Sequence, residues 1–382
     1  MTKIKEIICI FLVLINFNIN AQEIRVGAEQ THKYIPLLQD QKVGVIGNQT
    51  SVIKDTHLVD SLIKLDINIK KVFSPEHGFR GKKDAGEEIK NQTDEKTGIP
   101  IISLYGENKK PTKKHLKNLD VLVFDIQDVG VRFYTYISTL HYVMEAAAEE
   151  NIPLIILDRT NPNRHYIDGP ILEEEHKSFV GMHPVPIVYG MTIGEYAKMI
   201  NGEKWIKKKC NLTIIAVENY KNNVKNILKI PPSPNLPNAK SINLYPSLCL
   251  FEGTNISVGR GTAYPFQHFG SPDQESLYSF IPRSTEGSKN PKHKDFECFG
   301  VDLRSYSSSL NSINLEWVIK SYIKSKNKNN FFNSYFDKLA GTSQLKEQII
   351  NGKTSEEIKK SWQKGISDFK ETRKKYLIYK EL

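Results

Sequence analysis

The sequence predicts an α/β protein in which a largely parallel sheet is covered by helices on both faces. Short apolar runs recur along the first part of the chain, and segments with helical periodicity lie between them. Strands that are buried on both faces read as continuous apolar runs, so this alternation is typical of parallel βαβ units. With 382 residues, of which 39% are hydrophobic and 25% charged, the chain has enough apolar surface for a sizeable core and enough length for two domains.

Five apolar runs are predicted as strands, and two clear helices lie between them. The predicted strands are Val43–Ile46, Lys71–Phe73, Ile99–Leu104, Val121–Phe124 and Leu154–Leu157. The helices cover His57–Leu65 and Tyr136–Glu150, and the second is rich in Ala, Met and Glu, which favour helix. Thr192 and Glu195 have the spacing of a capping box, so a further helix begins there. No GxGxxG pattern follows the first strand, so a dinucleotide cofactor is not predicted.

A second, smaller α/β domain is predicted in the C-terminal part of the chain. Ser233–Pro237 and Tyr245–Pro246 predict a rigid, turn-rich crossing between the domains. Beyond it, helical periodicity appears over Leu315–Ile323 and over Thr354–Phe369, and the latter segment starts with a capping box. The boundary is placed near residue 248, which gives domains at residues 22–248 and 249–382.

The first 21 residues have the composition of a secretory signal. Lys3 and Lys5 give a basic start, Ile7–Phe17 is apolar apart from one Asn, and Ala21 is the small residue expected at the cleavage point. The apolar run is shorter than the ~20 residues that a membrane span needs. We therefore expect a secreted protein, in the periplasm of its host, without a membrane span after cleavage.

Charge and cysteine content narrow the functional classes. The chain has 53 Lys plus Arg against 43 Asp plus Glu, and no dense basic block, so nucleic acid is not a predicted partner. Three cysteines follow the signal: Cys210, Cys249 and Cys298. Their odd number excludes a disulfide scaffold, although one pair is possible, and their spacing does not match a zinc site.

Three predicted strands run directly into polar loops. Ligands of an open parallel sheet bind outside the carboxyl ends of its strands, so these loops are expected to meet at one edge. The loops begin at Ser74, Asp125 and Asp158. Their candidate ligand-binding residues, with one from the end of the first strand, are Asn48, Glu76, His77, Arg80, Asp125, Gln127, Asp128, Arg132, Asp158, Arg159, Asn161 and Asn163.

Three kinds of function would use such a set of side chains. Glycoside hydrolysis needs two carboxyl groups about 5–10 Å apart, one of them protonated. Metal-assisted phosphate hydrolysis would use Asp125, Asp128 and Asp158 as metal ligands. Binding without chemistry is the third. A serine hydrolase is disfavoured because the GxSxG elbow is missing.

Glu76 is the strongest candidate for a general acid. Pro75 fixes its approach, Gly78 allows a ligand to come close, and Phe79 would supply an apolar neighbour that favours the protonated carboxyl. His77 would orient this carboxyl or bind a hydroxyl group of the ligand.

Three residues outside these loops are further candidates. Glu252 and Asn255 lie in a turn rich in Gly, Thr and Asn, which suits ligand contact. Arg260 lies between two glycines and is suited to an anionic group. Glu195, in contrast, is expected to cap its helix rather than to act on a ligand.

Eight motifs occur in an order that resembles the bacterial exo-β-N-acetylmuramidases of the NamZ type. They are SPEHGFRG (74–81), FDIQDVGVRFYTY (124–136), LDRTNPN (157–163), DGPIL (168–172), SFVG (178–181), GMTIGEY (190–196), SPNLP (233–237) and EGTNISVGRGT (252–262). The resemblance implies a Rossmann-like N-terminal domain, a smaller C-terminal α/β domain and an active-site cleft between them. It also implies release of N-acetylmuramic acid from the non-reducing ends of peptidoglycan fragments, without a nucleotide or metal cofactor.

The resemblance also assigns roles to residues of this chain. The PEHG glutamate is Glu76, the favoured catalytic carboxyl. The acidic residue before GP is Asp168, which is taken as the second catalytic carboxyl, while Asp125, Asp128 and Glu252 stay open as alternatives. N-acetylmuramic acid carries a lactyl carboxylate, for which the candidate partners are Arg80, Arg132, Arg159 and Arg260. Amide contacts are expected from Asn161, Asn163 and Asn235, and stacking on the sugar from Tyr134 or Tyr136.

The expected function is therefore an exo-acting glycoside hydrolase that acts on peptidoglycan fragments. Two alternatives stay open on the residues alone: a secreted muropeptide-binding protein without turnover, and a metal-dependent phosphohydrolase.

Overall fold

The computed structural model of the protein describes residues 23–76, 78–80, 92–106, 108–221 and 228–380. The strands are β1 (Val43–Gly47), β2 (Val52–Ile53), β3 (Thr56–His57), β4 (Ile69–Ser74), β5 (Gln92–Thr93), β6 (Pro100–Ser103), β7 (Val121–Asp125), β8 (Leu154–Leu157), β9 (Leu212–Ile215), β10 (His268–Ser271), β11 (Tyr278–Phe280) and β12 (Cys298–Asp302). The helices are α1 (Thr31–Tyr34), α2 (Leu58–Lys64), α3 (Lys113–Leu116), α4 (Tyr136–Glu149), α5 (Ile193–Gly202), α6 (Ala239–Leu248), α7 (Glu316–Lys324), α8 (Tyr335–Ala340), α9 (Gln344–Ile350), α10 (Ser355–Ser361) and α11 (Gln363–Lys374). Short 3-10 turns occupy Gly27–Glu29, Ile35–Leu37, Glu174–His176, Cys249–Gly253 and Lys328–Asn330.

Seven strands form one sheet in the order β5-β6-β4-β1-β7-β8-β9, and only the β5–β6 pair is antiparallel. The chain builds outward from β1 through β4 and β6, then returns to the other side of β1 to place β7. The strand order therefore reverses between β1 and β7, which is the arrangement of a Rossmann-like sheet. The predicted fold class is confirmed, and all five predicted strands are present. β9, the edge strand, was not predicted because its partly exposed residues do not form a continuous apolar run.

The predicted helices α2, α4 and α5 pack against this sheet, and α4 is buried along most of its length. The capping box at the start of α5 is confirmed. The Thr192 hydroxyl accepts a hydrogen bond from the Glu195 amide at 3.3 Å, and a Glu195 carboxylate oxygen accepts one from the Thr192 amide at 3.0 Å. Glu195 therefore stabilises the helix start, as expected.

The predicted turn at Tyr245–Pro246 is wrong, because both residues lie inside α6. A proline in a helix cannot donate to the carbonyl four residues earlier, which here belongs to Ile242. Asn163 Nδ2 donates to that carbonyl instead, at 3.3 Å. A side chain from the sheet domain thus replaces the missing backbone hydrogen bond and lets the helix continue.

The C-terminal part contains a second, antiparallel sheet in the order β10-β12-β11, together with α7 to α11. The single helix predicted over Thr354–Phe369 is in fact two, α10 and α11, which meet at Trp362. The indole Nε1 of Trp362 donates to Asp168 at 3.1 Å, so the chain turns where this side chain is drawn into the sheet domain.

One hydrophobic core runs through both parts of the molecule. It includes Phe124 of β7 and Leu140 of α4, and also Phe336 of α8 and Phe369 of α11.

The domain boundary predicted near residue 248, at the end of α6, stays a prediction. The expected signal segment lies outside the described residues. None of the helices in the described ranges has the length and apolar character needed to cross a membrane. Cys210, Cys249 and Cys298 are all buried and unpaired.

Candidate active site

A pocket lies between the carboxyl ends of the sheet strands and the C-terminal part of the chain. Its empty space, counted together with the open solvent at its mouth, is about 680 Å³. Both parts of the chain line it, and five of the predicted site residues are brought together there. They are Glu76, Tyr134, Asn235, Glu252 and Arg260. We call this the active-site pocket.

Glu76 enters this pocket from the loop that follows β4. The Thr135 hydroxyl, at the start of α4, donates to a Glu76 carboxylate oxygen at 3.2 Å. Tyr105, just beyond β6, also hydrogen-bonds to Glu76; burial raises the pKa of the tyrosine, and the Glu76 charge raises it further. Three loops at one edge of the sheet therefore orient a single carboxyl group.

Glu252 and Arg260, from the C-terminal part of the chain, form an ion pair in the lining of the same pocket. The Arg260 Nε lies 3.1 Å from a Glu252 carboxylate oxygen, and the guanidinium stacks on the Phe266 ring at 5.0 Å. Burial lowers the pKa of Arg260, but the attraction of Glu252 outweighs it and the net pKa is raised. The flanking Gly259 and Gly261 both have φ near +77°, a backbone conformation that favours glycine. Arg260, the arginine between two glycines that the sequence singled out, thus lines the pocket.

The charges of Glu76 and Glu252 both act on the hydroxyl of Tyr335, at the start of α8. Burial raises its pKa first, and the charges of Cys249, Glu252 and Glu76 raise it further. Glu76, Glu252 and Tyr335 therefore lie in the same pocket, and the charges of both glutamates act on the Tyr335 hydroxyl.

Arg132 was expected to bind substrate but is fully buried. Its Nη1 donates to the carbonyls of Pro170 and Val185, at 2.9 and 2.7 Å. Its Nη2 donates to the carbonyls of Leu339 and Ala340, at 3.1 and 2.6 Å. These are the last two residues of α8, so the cation interacts with the C-terminal end of the helix. Burial lowers the pKa of this guanidinium to about 9. Arg132 thus fixes α8, which carries Tyr335, against the sheet domain and does not reach the pocket.

The strand-end aspartates also serve the structure rather than the pocket. Asp125 pairs with Arg159, whose Nη2 lies 2.9 Å from it. Asp158 accepts hydrogen bonds from the Gly194 amide, the Thr192 hydroxyl and the Tyr379 hydroxyl. Burial raises the pKa of Asp158 to about 6.

The three aspartates do not form the ligand group that a metal-dependent phosphohydrolase would need. In the described ranges, the one group of three potential ligands is Glu173, Glu175 and His176, on the surface of the molecule.

Asp128 is a buried carboxyl whose charge costs stability. Its Oδ2 accepts hydrogen bonds from the Tyr189 hydroxyl and from the Gly130 amide. Burial nevertheless raises the pKa of Asp128 to about 6, above about 3.9 in an unfolded chain. The folded protein therefore binds this proton more tightly, and its stability falls as the pH rises from about 4 to about 6.

The Asp128→Asn side chain does not titrate, so the variant should not lose stability in this pH window. We therefore expect its free energy of unfolding to rise relative to that of the parent as the pH rises. The difference in free energy of unfolding should change by about 2 kcal/mol between pH 4 and pH 6 and level off near pH 7, with a total change of about 3 kcal/mol. Urea unfolding across that range measures it. A difference independent of pH would contradict the buried, proton-binding role of Asp128.

The remaining predicted residues in the described loops do not line the pocket either. Arg80 is held by Asp94 and Asp60, with its Nη2 2.7 Å from Asp94. Asn48 donates to the Tyr136 hydroxyl, and Asn161 and Asn163 donate to the carbonyls of Met191 and Val129. Gln127 and Arg159 line a separate cavity. Asn255 bonds through its backbone to Phe331, and His77 lies outside the described residues.

Asp168 is not placed to act as the second catalytic carboxyl. It is buried outside the pocket, where it accepts hydrogen bonds from the amides of Gly169 and Ile313 and from the Trp362 indole. Its donors come from both parts of the chain, so its role is to join them. Glu252 replaces Asp168 as the carboxyl that shares the pocket with Glu76.

Phe79 is also not the apolar neighbour of Glu76 that the sequence suggested. Its ring packs edge-on against His57 at 4.6 Å. The apolar lining of the active-site pocket comes instead from Phe133, Phe179 and Phe266.

Sequence reasoning missed several pocket residues, among them Tyr105, Thr135, Phe179 and Tyr335. Tyr105 directly follows the predicted strand Ile99–Leu104, so the strand-end rule that found Glu76 would have found it too. Phe179 lies in the SFVG motif. Tyr335 had no signal, because it reaches the pocket only through the packing of α8.

Comparisons with known proteins agree with this architecture. The family model described as "Exo-beta-N-acetylmuramidase NamZ, N-terminal" matches residues 43–240, and that of the C-terminal part matches residues 243–379. The chain is 42% identical over 373 residues to the peptidoglycan beta-N-acetylmuramidase NamZ of Bacillus subtilis (strain 168), covering 91% of this chain and 89% of the relative.

Two solved structures of DUF1343 family proteins from Bacteroides fragilis NCTC 9343 are also similar. The first has a TM-score of 0.87 and 44% identity, and the match covers 94% of this chain and 100% of that one. The second has a TM-score of 0.82 and 30% identity, covering 94% and 99%. On the family models and on this identity over nearly its whole length, the chain belongs to the NamZ exo-β-N-acetylmuramidase family.

Proposed function

We propose that this protein is an exo-acting β-N-acetylmuramidase that releases N-acetylmuramic acid from the non-reducing ends of peptidoglycan fragments. The carrying observation is that Glu76, Glu252 and Arg260 line the same pocket. Glycoside hydrolysis uses two carboxyl groups that flank the bond to be broken, and a muramic acid substrate adds a carboxylate of its own. The pocket offers both carboxyls and a cation.

In this proposal the two glutamates have different roles. Glu76, oriented by Thr135 and Tyr105, donates a proton to the glycosidic oxygen as the bond breaks. Glu252 is the second carboxyl, on the opposite side of the anomeric carbon. Among the described residues, its partner Arg260 hydrogen-bonds through Nε, which leaves the two Nη groups for the lactyl carboxylate.

The test compares the release of 4-nitrophenol from the β-N-acetylmuramide and from the β-N-acetylglucosaminide. We expect the protein to hydrolyse the muramide and to prefer it roughly ten- to hundredfold, because a hydrogen bond between charged groups contributes about 1.5–3 kcal/mol. Arg260→Met should lose this preference, and Arg260→Lys should keep part of it.

Three outcomes would count against the proposal. Hydrolysis of neither glycoside would contradict an enzymatic function, and saturable binding of N-acetylmuramic acid without turnover would favour a binding protein instead. An unchanged preference in Arg260→Met would remove this arginine from substrate recognition. Each variant is compared at equal folded fraction, measured by thermal unfolding.

We also propose that the protein is exported to the periplasm, where peptidoglycan fragments occur. The support is the composition of residues 1–21, which predicts a signal peptide. N-terminal sequencing of the protein recovered from its host tests this; a mature chain that still begins at Met1 would contradict it.

A further inference from the structure

The segment Leu228–Leu236 runs past three cavities in turn. Its last residues line the active-site pocket, and Leu228–Ile230 line a distal pocket. Between them, Ile230, Pro231, Ser233 and Pro234 line a middle pocket. Counted together with the open solvent at their mouths, the middle and distal pockets have empty spaces of about 820 and 960 Å³. Neighbouring cavities share a wall residue, Ser233 in one case and Ile230 in the other. The three pockets therefore follow one another along a single groove.

This segment is held against the sheet domain at its centre. Gln49 Nε2 donates to the carbonyl of Pro232 at 3.1 Å and to that of Pro231 at 3.3 Å. The Tyr134 hydroxyl donates to the Pro232 carbonyl at 2.8 Å. Tyr134 itself lines the active-site pocket, so the wall of the groove and the pocket are fixed to each other.

The charge of the lining changes from one pocket to the next. The active-site pocket contains one cation, Arg260, beside Glu76 and Glu252. The only charged residue of the middle pocket in the described ranges is Glu286, so this pocket offers no cation there. The distal pocket contains three cations, Lys54, Arg159 and Lys229, and two anions, Glu23 and Glu29.

The distal pocket lies at the carboxyl ends of β1, β7 and β8, where the strand order reverses and where open sheets of this kind bind ligands. Arg159 is 7% exposed there. Its Nε and Nη2 are bonded to Asp125 and to the Val52 carbonyl, and its Nη1 has no hydrogen-bond partner in the described part of the chain. This buried, partly unpaired guanidinium points to an anionic ligand group.

In the glycan of peptidoglycan, carboxylates occur on every second sugar, just as cations occur in the first and third pockets. Counted from a terminal N-acetylmuramic acid, the second sugar is neutral N-acetylglucosamine and the third again carries a lactyl carboxylate. We infer that the middle pocket holds the second sugar and that the distal pocket binds the lactyl carboxylate of the third. This inference rests on the proposed function, and it makes the protein prefer glycans of three or more sugars.

The test measures kcat/KM for peptide-free disaccharide and tetrasaccharide, each with N-acetylmuramic acid at the non-reducing end. We expect the tetrasaccharide to be the better substrate by roughly tenfold or more, the effect of one hydrogen bond between charged groups. The double variant K54Q/K229Q should lower the ratio of the two values below that of the parent, with Arg159 left as the remaining cation, and K54R/K229R should preserve it. K64Q/K370Q, which removes two exposed lysines elsewhere, is the matched control and should keep the ratio of the parent.

A ratio near one in the parent, or an unchanged ratio in K54Q/K229Q, would overturn the inference while leaving the proposed function intact. A tetrasaccharide whose third lactyl carboxyl is amidated should lose the advantage, and its retention would assign the preference to other contacts. Failure to release N-acetylmuramic acid from either glycan would instead contradict the proposed function itself.

Discussion

Glu76→Gln is expected to lower kcat for the disaccharide by about 10²- to 10⁴-fold, the usual contribution of a general acid. The amide has nearly the shape of the carboxyl, and its oxygen still accepts the hydrogen bond of the Thr135 hydroxyl. It has no proton to give to the leaving sugar. The loss should therefore appear in kcat, with little change in the thermal unfolding temperature.

The leaving group separates an acid from any other role for Glu76. Nitrophenolate leaves without protonation far more readily than a sugar hydroxyl, so Glu76→Gln should impair the nitrophenyl muramide much less than the disaccharide. Equal losses on both substrates would indicate a nucleophile or a purely structural carboxyl. Glu175→Gln, at an exposed position outside the pocket, is the matched control and should behave like the parent.

Arg132→Met should cause a large loss of stability, on the order of 3–5 kcal/mol in the free energy of unfolding. The Met side chain fills much of the space, but four buried carbonyls, of Pro170, Val185, Leu339 and Ala340, lose their donors. Urea unfolding followed by circular dichroism measures the change. Arg132→Lys should lie between, because an ammonium cannot match the planar fork of a guanidinium.

The same substitution should also weaken catalysis in the fraction that remains folded. α8 carries Tyr335 and Leu339 into the active-site pocket, and its C-terminal end is fixed by Arg132. Arg283→Met is the control, since that arginine is largely exposed and its removal should change stability by less than about 0.5 kcal/mol. A stability loss of similar size in both variants would contradict the anchoring role of Arg132.

The sheet was predictable because its central strands have a strong and local signal. Residues that are covered on both faces must be apolar in succession, as in Val121–Phe124, and this local pattern marks the central strands. β9 was not predicted from the sequence because an edge strand is only partly covered and does not form a continuous apolar run. α6 was not predicted because Pro246 disfavours a helix locally. The hydrogen bond from Asn163 that replaces the missing backbone bond comes from a distant part of the chain.

The candidate site was predictable only in part, because the carboxyl edge of a sheet has its own structural needs. Asp158 follows its strand just as Glu76 follows β4, yet its carboxylate is used by loop amides and hydroxyl groups. Position at a strand end does not distinguish these two outcomes. The glycines that flank Arg260 carried more information, since two residues with positive φ mark a backbone shaped around one side chain.

The hydrogen bond between Tyr379 and Asp158 joins residues 221 positions apart. During translation, β8 leaves the ribosome long before Tyr379 does. Until Tyr379 emerges, the Asp158 carboxylate therefore lacks one of its final hydrogen-bond donors. The complete set of hydrogen bonds in the sheet domain therefore depends on residues near the end of the chain.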